Sequence, residues 1–154
     1  MHHHTAQVSW SRKDAVYSDH RYSRAHVWRF DGGAEVPASS SPLVVREPMS
    51  DPRGVDPEEA FIASVSSCHM LFFLDFASRA GFVVDSYVDD AVGVMGKDEE
   101  GYEYVEAIEL RPEIAFAGDK RPTAEELAHL HHRSHDVCFI ARSVKTKVTV
   151  TVRS

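Results

Sequence analysis

Apolar and polar positions alternate near both ends of the chain, and apolar residues crowd together in its middle. The first alternating run is "YSRAHVWRF", residues 22–30, which closes on Asp31-Gly32-Gly33. An Asp-Gly pair after a run holding Val, Trp and Phe predicts a β-hairpin. Its return strand is expected near "AEVPAS", with a further short strand in "SSPLVV". "REPMSDPRGVDP" then carries three prolines and a glycine, which predicts a loop.

The crowded stretch is "DPEEAFIASVSSCHMLFFLDFASRAG", residues 56–81. Asp56 suits an N-cap, Pro57 the first helical position, and Glu58 and Glu59 the positive end of a helix. Nothing breaks the pattern before Arg79, and Gly81 is placed as a C′ glycine. The result is a helix of roughly 35 Å. Its run "MLFFLDF" is apolar nearly all round, which predicts a central helix covered on most sides.

"FVVDSYVDDAVGVMG" and "YEYVEAIELRPEIAFAG", divided by "KDEEG", predict a long antiparallel hairpin. "RPTAEELAHLHHRSHDV" predicts a second helix, with Thr123 and Glu126 spaced as a capping box. "SVKTKVTVTV" alternates cleanly as a last strand. Strands, long helix, hairpin, helix and strand, in segregated runs, argue for an α+β fold.

Length changes the picture only by bounding it: 154 residues fit one domain spanning 1–154. No run approaches 18 consecutive apolar residues, so no membrane span is expected. The start "MHHHTAQVSW" lacks the basic and apolar parts of a signal peptide, and a cytoplasmic location is expected. Its three histidines read as a tag remnant, and residues 1–6 are expected to be disordered or tag-derived. A net charge of -7 without any basic run excludes the usual electrostatics of nucleic-acid binding.

Two cysteines, Cys68 and Cys138, carry the candidate chemistry. Free cysteine is often plain core filler. Against that, Cys68 follows the polar "SVSS" and precedes His69, and Cys138 follows directly on the second helix. Periodicity alone leaves both readings open.

The order Pro57-Glu58, Cys68 ten residues after Glu58, Gly81, and Cys138 between a helix and the last strand resembles the OsmC/Ohr family. These are thiol peroxidases of osmotic and organic-hydroperoxide stress, with a pattern of roughly Asn-Pro-Glu, ten residues, Cys, and a later Val-Cys. Here that reads "DPEEAFIASVSSC" and "HDVC". The resemblance implies antiparallel sheets packed around a long central helix in an intertwined homodimer. It implies Cys68 as the peroxide-attacking thiol, Cys138 as the resolving thiol, and Glu58 as the carboxylate on a catalytic arginine. That arginine is Arg24, or else Arg29. It further implies a dithiol reductant such as a lipoylated protein, and no cofactor. Two departures are Phe139-Ile140, where the family often has Pro and Ser, and His69. A non-catalytic relative that binds an apolar ligand in the dimer cleft is the alternative.

These residue types suit that chemistry. The thiolate is the nucleophile, and a neighbouring guanidinium favours it. A carboxylate on the arginine fixes its pose and is not the base. The sulfenic acid left by attack on a peroxide condenses with a second thiol, which prevents over-oxidation. Phe61, Val65, Met70, Phe72 and Phe73 favour bulky alkyl hydroperoxides, although core packing explains most of them singly. Glu58 and Cys68 lie about 15 Å apart along a straight helix and on different faces. Antiparallel packing of two such helices sets Glu58 of one chain beside Cys68 of the other, which predicts an obligate homodimer.

His129, His131, His132 and His135 cluster in "HLHHRSH". The spacing permits a metal pair, but no third ligand or helical glutamate accompanies it. A solvated polar face is expected, and no metal. Asp89-Asp90 and Glu99-Glu100 are expected to be solvated turn charges.

Overall fold

A computed structural model describes residues 1–153. The architecture is α+β, and the chain forms two compact units, Met1–Ala60 and Phe61–Ser154.

In the first unit three antiparallel strands lie in the order β1 (Ala6–Ser9), β2 (His26–Phe30), β3 (Glu35–Ala38). The β2–β3 hairpin is the one expected at Asp31-Gly32-Gly33. Gly33 has φ 89°, a left-handed conformation that suits glycine, and its N–H donates to the Phe30 carbonyl. "SSPLVV" is not a strand. The Leu43 N–H donates to Ser41 Oγ, and the Val44 and Val45 N–H groups to the Ser41 carbonyl. This local serine turn outcompetes the β propensity of the two valines. The loop then returns to β3, where the Val55 N–H donates to the Pro37 carbonyl and the Ser39 N–H to the Val55 carbonyl. Gly54 permits that approach, because a Cβ there would stand 2.8 Å from the Ala38 carbonyl carbon.

α1 runs from Pro57 to Arg79 without interruption. Asp56 Oδ1 accepts from the Glu59 N–H at 2.7 Å, and Glu59 Oε2 accepts from the Asp56 N–H at 3.2 Å. The N-cap is thus a reciprocal capping box. At the other end the Gly81 N–H donates to Ser78 and the Phe82 N–H to Ala77, a Schellman closure with Gly81 at φ 83°. The expectation of a helix covered on most sides fails for the single chain. Only Val65, His69, Phe73 and Ala77 are buried, one stripe at four-residue spacing, and Leu71 is 61% exposed. By length and composition α1 also meets the criterion for a membrane span, but its stripe packs on strands of the second unit.

The long hairpin is present but bent into two pairs. β4 (Val83–Asp89) pairs with β7 (Pro112–Ala117), and β5 (Val92–Lys97) with β6 (Glu103–Leu110). Pro112 has no N–H to continue the ladder, and Asp89 Oδ1 takes the Arg111 N–H at 2.6 Å. Asp98 closes the tip, accepting on Oδ1 from the Glu100 and Tyr102 N–H groups. α2 (Ala124–Val137) carries the expected capping box of Thr123 and Glu126. β8 (Lys147–Val150) joins β6 in parallel, the one parallel pairing between named strands. Val65 of α1 packs with Ile108 and Leu110 of β6, whereas Phe73 and Ala77 pack with Phe82 and with Leu130 of α2. His69 falls between these two apolar clusters on the stripe.

Candidate active site

Cys68 stands at the start of the fourth turn of α1, half-buried, and Cys138 is the fully buried C-cap of α2. The Cys138 N–H donates to the Ser134 carbonyl at 3.0 Å, and its Sγ accepts from the Ala141 N–H at 3.4 Å. Both thiols are free, and Cys68 shares a cleft with Phe139, the residue that follows Cys138. Burial pushes the Cys138 thiol pKa up, the Ala141 N–H opposes this, and the adjacent Cys68 adds to the rise. In front of Cys68 lies an open cleft of about 300 Å³ lined by Leu71, Phe72, Asp75 and Phe139. Phe139, at the first departure from the family pattern, meets Phe72 edge to face at 5.2 Å. The cleft is thus lined by three apolar side chains and one carboxylate beside the thiol.

One residue on, His69 is 1% exposed and shares a hydrogen bond with His131 of α2, Nε2 to Nδ1 at 3.0 Å. The ring planes differ by 8°, and Phe73 stacks on His131 at 4.4 Å. The His69 pKa is pushed down to about 4, first by burial, then by His135, against a smaller pull from Asp89. That of His131 also falls to about 4, by burial and then by His69. Both rings are neutral at pH 7. His131 therefore does not belong to a solvated face, as its neighbours His129 and His132 do. Among the described residues no three His, Cys, Asp or Glu side chains converge as a metal would require.

Asp89 also departs from expectation. It is no solvated turn charge, since Oδ2 accepts from Ser66 Oγ of α1 at 2.5 Å while Oδ1 holds the Arg111 N–H. Asp90 is exposed and pairs with Arg153 at 3.2 Å.

In the first unit Arg24 lines a cavity of about 370 Å³ together with Trp10, Tyr17, Tyr22, Ser40 and Pro57. Its Nη1 donates to the His20 and Tyr22 carbonyls at 2.9 and 2.5 Å, and its guanidinium lies 3.7 Å from the Tyr22 ring centroid. Trp10 Nε1 donates to the Ser23 carbonyl, and the Tyr17 and Tyr22 rings stack at 4.7 Å beside it. Arg29 is engaged across the hairpin by Glu35 at 2.5 Å. Glu58 Oε2 is buried without a hydrogen-bond partner, and no Arg24–Glu58 ion pair forms among the described residues.

Sequence reasoning missed three groups here: the His69–His131 pair, Asp89, and the Trp10–Tyr17–Tyr22 rings. For the histidines a signal existed, because His69 continues the Val65, Phe73, Ala77 spacing and His131 that of Leu127 and Ser134. For the rings there was none, since a 3-10 turn at Tyr17–Asp19 and a left-handed His20 bring them together.

The sequence profile of the OsmC-like protein family matches residues 50–153. A comparison with curated proteins found no match. Among solved structures, the chain is similar to an OsmC-like protein of unknown function from Vibrio cholerae, at 48% identity and TM-score 0.97, covering 99% of this chain and 100% of that one. An organic hydroperoxide resistance protein from Elizabethkingia anophelis shares the fold at 19% identity and TM-score 0.73, covering 100% and 97%. The organic hydroperoxide resistance protein OhrB of Bacillus subtilis does so at 17% and 0.65, covering 97% and 98%. The thiol pair, the capped helix that carries Cys68 and the profile match over residues 50–153 agree, and the chain belongs to the OsmC-like protein family.

Proposed function

We propose that the protein is a cysteine-based peroxidase that reduces organic hydroperoxides to alcohols. The observation that carries this reading is that a half-buried thiol, Cys68, opens on an apolar cleft it shares with Phe139, the residue after the buried thiol Cys138. In the proposed cycle the Cys68 thiolate attacks the outer peroxide oxygen. The O–O bond breaks, the alkoxide leaves and takes a proton, and Cys68 becomes a sulfenic acid. Cys138 then attacks that sulfur, forming the disulfide and releasing water. An external dithiol, of which a lipoyl group is one type, takes over the disulfide by exchange and restores both thiols.

Arg24 holds the peroxide oxygens and favours the thiolate through its forked donors, and Glu58 orients it. The site is shared in a homodimer, with Glu58 of one chain serving Cys68 of the other. The unpartnered Glu58 Oε2 and the exposed Leu71 on α1 support that arrangement. A reducing cytoplasm is the compartment in which such a free dithiol persists.

A second reading, binding of an apolar ligand without turnover, draws support from the ring-lined cavity and from an Arg24 whose Nη1 is already bound to two carbonyls. Consumption of cumene hydroperoxide with dihydrolipoamide separates the two. Turnover that vanishes in Cys68→Ser supports the peroxidase, and no turnover from the unsubstituted protein overturns it.

A further inference from the structure

We infer that His69 and His131 are positioning residues for the dithiol: their hydrogen bond is the strut that holds the Cys68 turn of α1 against the Cys138 end of α2. This rests on the reading of Cys68 and Cys138 as a working pair.

Both ends of the strut are tied to the thiols through rigid backbone. His69 follows Cys68 directly in α1, and His131 stands seven residues, about two turns, before Cys138 in α2. α1 grips His131 twice. His69 meets its edge through the 3.0 Å bond, and Phe73, one turn further, covers its face. Nearly parallel planes with centroids 5.3 Å apart are what a straight, in-plane N–H···N bond produces.

The pair is a costly way to fill a core. One proton lies between the two inner nitrogens, so one outer nitrogen must be bare and the other must carry a proton. Those outer atoms, His69 Nδ1 and His131 Nε2, are buried without partners, as are His135 Nδ1 and the Tyr87 hydroxyl. Two apolar rings would avoid that desolvation penalty. Apolar packing has no preferred direction, however, and lets helices slide, whereas a straight hydrogen bond fixes their register. Burial keeps both rings neutral, so the bond persists at neutral pH.

The test is the equilibrium of the full-length protein with glutathione. Each exchange turns two protein thiols and one oxidised glutathione into the Cys68–Cys138 disulfide and two glutathione thiols. Two electrons and two protons pass to glutathione, and the constant reports the effective concentration of the two thiols. His131→Phe keeps the stack on Phe73 and removes the bond, and it is expected to lower the constant about tenfold or more. His131→Asn places an acceptor where Nδ1 stood and is expected to stay within about threefold of the unsubstituted protein. His69→Phe should match His131→Phe, and the double variant should lose no more than either. A constant unchanged in both phenylalanine variants, even with a lower melting temperature, overturns the strut and leaves the dithiol standing. Failure of the unsubstituted protein to form the Cys68–Cys138 disulfide overturns both.

Discussion

Ser66 of α1 donates its hydroxyl to Asp89 Oδ2 at 2.5 Å, while Asp89 Oδ1 holds the Arg111 N–H at 2.6 Å. One carboxylate therefore moors the helix that carries Cys68 to the bend of the long hairpin. Asp89→Ala leaves a hydroxyl and a backbone N–H unpaired in a half-buried setting. Hydrogen bonds to charged groups contribute about 1.5–3 kcal/mol each, so with two bonds lost the variant is expected to lose about 3–6 kcal/mol. Urea unfolding at fixed protein concentration measures it, and a loss below about 1 kcal/mol would mean that the mooring carries little.

The thiols are expected to fail differently. Cys68→Ser removes the nucleophile and should abolish peroxide consumption. Cys138→Ser keeps the nucleophile but not its resolution, so one peroxide is consumed per site and Cys68 stops at the sulfenic acid. Trapping with dimedone and mass spectrometry distinguishes the two. Dimedone labelling of Cys68→Ser at Cys138 would reverse the assignment.

What was legible in the sequence followed local rules. The Asp56 and Thr123 caps, the Gly81 terminator and the Asp31-Gly32 turn each depend on a few neighbouring residues, and the structure has all of them. The pairing of Cys68 with Cys138 came from the family resemblance, since periodicity alone left core filler open, and both cysteines are free thiols in the fold. What failed depended on hydrogen-bond partners that residue propensities do not reveal, one of them local and the others distant. "SSPLVV" has strand composition, but Ser41 captures its N–H groups. Asp89 looked like a turn charge because its partners, Ser66 and Arg111, lie 23 and 22 residues away. His131 looked solvated beside three other histidines, because a helical run does not reveal which of its faces meets His69. The role of Arg24 rests on resemblance, and its observed contacts are with backbone carbonyls and the Tyr22 ring.

The buried histidines set the acid sensitivity of the fold. Their folded pKa values, about 4, lie below the 6.5 of the free side chain. The unfolded chain therefore binds more protons between those values. The stability contributed by the neutral pair is complete above about pH 6.5 and is lost as pH falls towards 4. Asp89 at the end of β4 favours the charged form of His69, His135 of α2 opposes it, and the Tyr87 hydroxyl stays protonated throughout. With two sites titrating, unfolding free energy is expected to fall by up to about 2 kcal/mol per pH unit between pH 6 and 5. His69→Phe with His131→Phe should flatten that slope. Denaturant midpoints across this range decide it, and equal slopes in both proteins would mean that the pair is not buried neutral.

A shared site makes a quantitative prediction about mixtures. α1 is unbroken from Pro57 to Arg79, so ten residues of helix separate Glu58 from Cys68 in any one chain. If the arginine and Glu58 of one protomer serve Cys68 of its partner, then Arg24→Ala and Cys68→Ser homodimers each lack a complete site. Refolded together at equal concentration, half of the dimers are mixed. Each mixed dimer holds one intact site, made of Arg24 from the Cys68→Ser chain and Cys68 from the Arg24→Ala chain. Activity should then recover to about a quarter of that of the unsubstituted protein. Sites contained within one chain would give no recovery above the sum of the two inactive parents. Initial rates of cumene hydroperoxide consumption, with mixed dimers verified by native mass spectrometry, separate these outcomes.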